Sequence, residues 1–236
     1  MVTGGARGIG AAIARHAVDQ GASVAVLDLL EDRGRATATE LDGVFVRVDL
    51  ADCAGTAAAM ATAIAGLGGI DVLVNAAGVL RLGPLLDTTP ADWDAVFAVN
   101  TRAMLITMQA AATAMIAAGT GGRIVNLASM AAKDGGANEG AYAASKAAVL
   151  ALTRAAALEW GCHSIRVNAI CPGYVLTEMG AATRTDDDVA AWTARSPLGR
   201  LASPDDVANV ACFLASDEAS YLTGEAVNVT GGMMTH

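Results

Sequence analysis

Positive charge is scarce in this sequence: fifteen lysines and arginines stand against twenty-four aspartates and glutamates, a net charge of −9. The isoelectric point is near 4.7. A basic stripe able to neutralise phosphates is missing, so neither nucleic acid nor an anionic membrane surface is an expected partner. Cysteine is scarce too. Cys53, Cys162, Cys171 and Cys212 have neither metal-ligand spacing nor the density of a disulfide framework, and they read as reduced, structural residues of a cytoplasmic protein. No basic segment followed by an apolar one opens the chain, so secretion is not expected. Long apolar spans are lacking as well. The two longest charge-free runs, Cys53 to Ile70 and Ala103 to Gly122, consist mainly of Ala, Thr and Gly, with Gln109 inside the second, and they read as buried helices. A chain of 236 residues is long enough for one well-packed domain, and no second one is expected.

Lysine is the scarcest charged type. Only Lys133 and Lys146 occur among the fifteen basic residues, so a chain that otherwise uses arginine places a compact ammonium at Lys146. Tyr142 precedes it by four residues within an alanine-rich run, from about Gly140 to Glu159, that reads as a helix. At that spacing the two side chains share a face, with about 6 Å of rise between them, and can converge. An ammonium about 4 Å from a phenol, at an effective dielectric near 20, favours the phenolate by up to about 4 kcal/mol, or about two to three pKa units. Such a tyrosine can exchange a proton with an alcohol near neutral pH. The plain alternative is a half-buried aromatic beside an exposed helix lysine. Ser129 stands thirteen residues before Tyr142, just past the short buried strand Ile124 to Leu127.

Upstream, Thr3-Gly4-Gly5-Ala6-Arg7-Gly8-Ile9-Gly10 leads into a helical pattern from about Ile9 to Gln20. Glycines at 4, 8 and 10 allow a tight turn at a helix mouth, where free N–H groups and the dipole attract a pyrophosphate. A strand from Ser23 to Leu27 follows and ends in Asp28, an acid placed to bond both ribose hydroxyls of an adenosine and to repel a 2′-phosphate. That favours NAD over NADP. Arg7 points the other way, since a cation there could meet the phosphate, and it reads equally as a solvated loop arginine. The pattern then alternates: helix Glu31 to Leu41, strand Val44 to Val48, helix Gly55 to Ala65, strand Asp71 to Val74. This rhythm implies parallel strands with right-handed crossovers, a doubly wound sheet whose carboxyl edge collects Asp49, Asn75-Ala76-Ala77-Gly78 and Ser129.

Asp92 to Ala118 reads as one long helix with Asn100 in its middle, a position where asparagine needs a reason. After strand Ile165 to Ile170, Pro172-Gly173 should break the run, and 174–203 reads as a substrate loop or lid. Asp186, Asp187 and Asp188 read as a helix start rather than a metal site. Ser203-Pro204-Asp205-Asp206 reads as a cap, an N1 proline and an acidic first turn, and Ala226 to Val229 as a last strand.

These residues resemble the short-chain dehydrogenase/reductase family over nearly the whole chain. Thr3-Gly4, Gly8 and Gly10 match its cofactor loop, and Asn75-Ala76-Ala77-Gly78 matches its Asn-Asn-Ala-Gly motif except at Ala76. Ser129, Tyr142 and Lys146 keep the family's spacings, Asn100 stands at its catalytic asparagine, and Pro172-Gly173 with Thr177 matches its cofactor-covering segment. The resemblance implies a Rossmann-like fold and hydride transfer between NAD and a secondary alcohol or polyol and its ketone. It implies Tyr142 as general acid or base, Ser129 holding the substrate oxygen, Lys146 lowering the tyrosine pKa and binding the ribose, and Asn100 positioning a water. It also implies cofactor contacts from the glycine loop including Ile9, from Asp49 with Leu50, from Asn75, Gly78 and Thr177, and a homodimer or homotetramer. Three other readings stay open: a 3-oxoacyl thioester reductase using NADPH, a dinucleotide-binding scaffold without catalysis, and an inactive truncated form.

The expected central strand has only Met1 and Val2 ahead of Thr3, where about five or six residues are usual, so the expectation is a first strand cut short and a native start upstream. For the substrate, Lys133, Asn138 and Glu139 could bind hydroxyls or a carboxylate, and Tyr174, Met179 and Trp192 could line an apolar wall; each also reads as an ordinary loop or packing residue.

Overall fold

The computed structural model describes residues 1–181 and 184–236. Its first half alternates strands and helices: β1 (Val2–Thr3), α1 (Gly8–Asp19), β2 (Ala25–Asp28), α2 (Glu31–Glu40), β3 (Val44–Arg47), α3 (Cys53–Leu67) and β4 (Val72–Asn75). Then come α4 (Pro90–Phe97), α5 (Ala103–Ala118), β5 (Gly122–Leu127), α6 (Ala131–Asp134) and α7 (Gly140–Trp160). The chain ends with β6 (Ile165–Pro172), α8 (Glu178–Ala181), α9 (Asp186–Arg195), α10 (Pro204–Ala215) and β7 (Ala226–Val229). The strands form one sheet in the order β3-β2-β1-β4-β5-β6-β7, parallel throughout. This is the doubly wound, Rossmann-like architecture expected.

Both faces of the sheet are covered, which explains why the strands read as continuous apolar runs. Successive strand residues point to opposite faces. Leu73 and Ile124 pack with Met60, Met104, Met108 and Val149 under α3, α5 and α7. Their neighbours Val74 and Val125 pack with Ile13, Val207 and Leu214 under α1 and α10. Alanines fill much of both layers, so the helices approach the sheet closely.

Three elements add detail to the expectation. The long helix runs through as expected but is not regular: between α4 and α5 it widens into a π-helical turn, Ala98–Arg102, centred on Asn100. β6 runs on through Pro172, which pairs with Val229; a proline is tolerated there because it stands at the strand's last position and its carbonyl still accepts from Met130 N–H at 2.9 Å. β1 is as short as the sequence implied, two residues, yet it is central, Val2 pairing with Val26 and Val74, and Thr3 with Leu27 and Asn75. Beside it, at the amino end of the sheet, lies a hollow of about 630 Å³ bordered by Met1, Ile13, Val24, Ile70 and Val72. The caps follow the sequence. Ser203 and Asp206 form a reciprocal capping box at α10, and Thr185 with Asp188 forms another at α9.

A polar network crosses the apolar layer. Asn75 Nδ2 donates to Asn126 Oδ1 at 2.9 Å, Thr107 Oγ1 donates to Asn75 Oδ1 at 2.7 Å, and Asn126 Nδ2 donates to Thr153 Oγ1 at 3.0 Å. It ties β4 and β5 to α5 and α7, and all four side chains are buried. Replacing Asn126 with alanine strands the Asn75 amide N–H, at about 1–3 kcal/mol for a buried group left unpaired, while the Thr153 hydroxyl keeps its own donation to Val149 O. Asn126→Ala should therefore lower the thermal midpoint by about 4 °C or more for a chain of this size. A shift below about 1 °C in a circular-dichroism melt would show that the network relaxes without cost.

Candidate active site

Where the strand order reverses, between β1 and β4, the carboxyl ends of the strands part into a cleft of about 330 Å³. One wall is the glycine loop with the first turn of α1: Gly4, Arg7, Gly8, Ile9 and Gly10. Two of these glycines answer to measurable constraints. Gly4 has φ +69, and a Cβ there would lie 2.7 Å from the Ala77 backbone; a Cβ on Gly10 would lie 2.1 Å from Gly4 O. The loop is thus folded against its own helix and against the strand beyond. Arg7 precedes α1 without a side-chain cap, so the helix's first N–H groups face the cleft mouth as an anion site.

Asp28 anchors this wall. Its two carboxylate oxygens accept from Ala6 N–H and Leu30 N–H, both at 3.0 Å, which holds the glycine loop to the end of β2 while the side chain still borders the cleft. Asp49 and Leu50 border it from the end of β3, and the Asp49 carboxylate is fixed by Ala51 N–H at 2.9 Å. Pro172 and Thr177 close it from above. Gly-rich backbone, an uncapped helix start and two carboxylates in one cleft form a donor and acceptor set that fits a dinucleotide.

The opposite wall runs through Ala76, Ala77, Gly78 and Val79 to Tyr142 and Lys146. Asn100 explains its presence in a helix here. Fully buried in the π-helical turn, it accepts from Val79 N–H at 2.8 Å and donates to Val79 O and to Ser145 Oγ, both at 3.0 Å. A Cβ on Gly78 would lie 3.3 Å from Asn100 Oδ1 and 3.4 Å from Lys146 Nζ, so Gly78, Asn100 and Lys146 converge. Lys146 is itself buried, donates to Leu127 O at 2.7 Å, and burial lowers its pKa to about 8.

Tyr142 and Ser129 share a side-chain hydrogen bond. The electrostatics differ from the sequence expectation. Burial raises the phenol pKa, the Ser129 bond opposes that rise, and Glu139 adds to it. Lys146 Nζ lies 5.9 Å from the Tyr142 ring centroid and is turned to the Leu127 carbonyl.

Not every residue singled out in the sequence borders the cleft. The Asn75 side chain faces the interior, inside the network with Asn126. Thr3 acts one layer back, its hydroxyl accepting from Ala77 N–H at 3.3 Å. Gly173 packs against Thr230, and Lys133 donates to Ala226 O at 3.0 Å and Asn228 Oδ1 at 2.8 Å. Asn138 has φ +65, and its carbonyl accepts from Gly83 N–H at 2.8 Å. Tyr174 and Trp192 stack with ring centroids 4.0 Å apart and planes within 4°. Met179 borders the cleft, and Ala182 and Thr183, part of the expected lid, lie outside the described residues. Sequence reasoning missed Ser145, Asn126 and Glu178. Each acts across long sequence separations, and no local spacing marks it.

The family model described as Enoyl-(Acyl carrier protein) reductase matches residues 4–234. Sorbitol dehydrogenase from Cereibacter sphaeroides is 39% identical over 98% of this chain and 95% of its own length. D-threitol dehydrogenase from Mycolicibacterium smegmatis is 40% identical over 98% and 91%, and a 3-oxoacyl-[acyl-carrier-protein] reductase from Chlamydia pneumoniae is 38% identical over 99% and 95%. Among solved structures, a short-chain type dehydrogenase/reductase from Mycobacterium marinum superposes with a TM-score of 0.93 at 33% identity, covering 100% of this chain and 94% of that one. A protein described as of the short chain dehydrogenase/reductase family gives 0.90 at 35% identity over 98% and 94%. With the glycine loop, Tyr142 and the buried Lys146 in one cleft, and Ser129 bonded to Tyr142, the chain belongs to the short-chain dehydrogenase/reductase family and is an oxidoreductase acting on CH–OH groups.

Proposed function

We propose that the protein is an NAD-dependent dehydrogenase of polyhydroxylated or cyclic secondary alcohols. The observation that carries the substrate reading is Glu139. Its carboxyl is half-buried one helical turn before Tyr142, close enough to raise the tyrosine pKa, and it makes no hydrogen bond to any described residue. A partly buried carboxyl group beside a reacting hydroxyl is suited to accept a second hydroxyl of the same substrate. Sorbitol and D-threitol dehydrogenases among the relatives support the same class. The stacked Tyr174 and Trp192 would give the carbon skeleton a flat wall.

NAD is favoured by Asp28, whose charge opposes a 2′-phosphate. The cofactor supplies the hydride acceptor or donor when bound. Gly4, Arg7, Gly8, Ile9 and Gly10 would hold the pyrophosphate end, Asp28, Asp49 and Leu50 the adenosine, and Gly78, Pro172 and Thr177 the nicotinamide side, with Asn75 and Gly173 setting the backbone of that wall from behind. Tyr142 would take the alcohol proton during oxidation and return it during reduction, with Ser129 holding the substrate oxygen. Lys146 would bind the ribose, and Asn100 would position the water and backbone through which protons reach solvent.

The 3-oxoacyl thioester reductase reading has a relative of similar identity, but Asp28 and the acidic surface disfavour NADPH and an acidic carrier protein. Self-association as a homodimer or homotetramer is supported by exposed apolar side chains on α4, α5 and α7: Trp93, Leu105, Ile116 and, at 86% exposure, Leu158. A cytoplasmic location is part of the same proposal. Among the described residues, no helix is long and apolar enough to cross a membrane.

Two outcomes test these assignments. Glu139→Gln and Glu139→Ala should lower kcat/KM for polyols about tenfold, mostly through KM, while a monohydric secondary alcohol changes less than about twofold. Equal losses on both substrates would mean that Glu139 supports the fold rather than the substrate. Lys146 provides the pH test. Its pKa near 8 means that the ammonium is present below that pH and lost above it. Affinity for the anionic dinucleotide, followed by calorimetry, should therefore fall as pH rises through about 8, and the step should vanish in Lys146→Met. A flat profile in the wild type would remove Lys146 from the cofactor site.

A further inference from the structure

Arg7, which lines the cleft, and Arg33, on α2, are not free. Arg7, in the glycine loop, lies 3.4 Å from Glu178 Oε2, and Arg33, in the first turn of α2, donates to the same oxygen. Glu178 opens α8, directly after Thr177, on the segment that closes the cleft from above. One carboxylate thus joins the covering segment, the glycine loop and α2. The three side chains are 42–56% exposed, so the cluster sits at the cleft mouth rather than in the core. Its carboxyl is held below the usual range, chiefly by the Arg33 hydrogen bond and also by Arg7, so it stays anionic wherever the protein is folded near neutral pH.

A guanidinium beside Asp28 is the group a 2′-phosphate would need, because its fork matches phosphate geometry and its charge offsets the aspartate. Here both candidates are engaged by a carboxylate that would also repel the phosphate. We infer that Glu178 is a cofactor-specificity residue, which disfavours the 2′-phosphorylated dinucleotide by holding Arg7 and Arg33 away from it. Asp28 then acts from the floor of the site and Glu178 from the cover. The inference rests on the nicotinamide dinucleotide reading and not on which of the two nucleotides the wild type prefers.

The test is binding, read without turnover. Dissociation constants of oxidised NAD and NADP are measured by calorimetry for the wild type, Glu178→Gln, and Glu178→Gln combined with Arg7→Met and Arg33→Met. Glu178→Gln should shift the Kd ratio toward NADP by about tenfold, and removing both arginines should cancel the gain. A ratio that moves less than about twofold overturns the inference, as does a gain that survives loss of both arginines. A wild type that already binds NADP more tightly would refute the NAD preference alone, since the shift in Glu178→Gln is read against that baseline. Glu178 is exposed and its neighbours are solvated, so the substitution should leave the melting profile unchanged, which separates a binding effect from misfolding.

Discussion

The site depends on one side chain tying two pieces of backbone together. Asn100 bonds both the N–H and the carbonyl of Val79 and also reaches Ser145. Gly78 and Val79 belong to the wall that follows β4, and Ser145 stands between Tyr142 and Lys146 on α7. The asparagine therefore fixes the spacing between the cleft wall and the helix that carries the proposed chemistry. Its amide is fully buried, and breaking any of these bonds would leave polar groups stranded at about 1–3 kcal/mol each. A regular α-helix does not place the side chain there. The chain opens a π-helical turn at Ala98–Arg102 instead, a local departure of the kind that recurs at functional sites.

Much of the fold was legible because it rests on local pattern. The apolar runs ending at Asp28, Asn75 and Leu127, the glycine loop, and the Ser203-Pro204 cap all read correctly from residue type and spacing. The carboxyl edge could be populated before any coordinates, since parallel strands leave no other place for Asp49 or Ser129. What was not legible depends on contacts between distant segments. Asn75 reads as a cofactor residue by position, yet its side chain turns inward because Asn126 and Thr107 offer it partners. The π-helical turn in the long helix goes with the bonds to Val79, about twenty residues away in sequence, and no periodicity reports such a bond.

The titration behaviour of the tyrosine and lysine pair teaches the same lesson in electrostatics. A four-residue spacing permits close approach but does not require it. In the folded chain Lys146 turns to the Leu127 carbonyl, and burial raises one pKa and lowers the other. Both shifts disfavour the charged forms, as expected where water is excluded.

The central claim is that this cleft oxidises a polyhydroxylated or cyclic secondary alcohol with NAD through Tyr142. The direct measurement is kcat/KM for a panel of polyols, cyclic and aliphatic secondary alcohols, and 3-oxoacyl thioesters, each with NAD and NADP, for the wild type and Tyr142→Phe. The account predicts the highest values for a polyol or cyclic alcohol with NAD, and loss of about a hundredfold or more in Tyr142→Phe with NAD binding retained. Highest activity on a 3-oxoacyl thioester with reduced NADP, or unimpaired turnover in Tyr142→Phe, would contradict it.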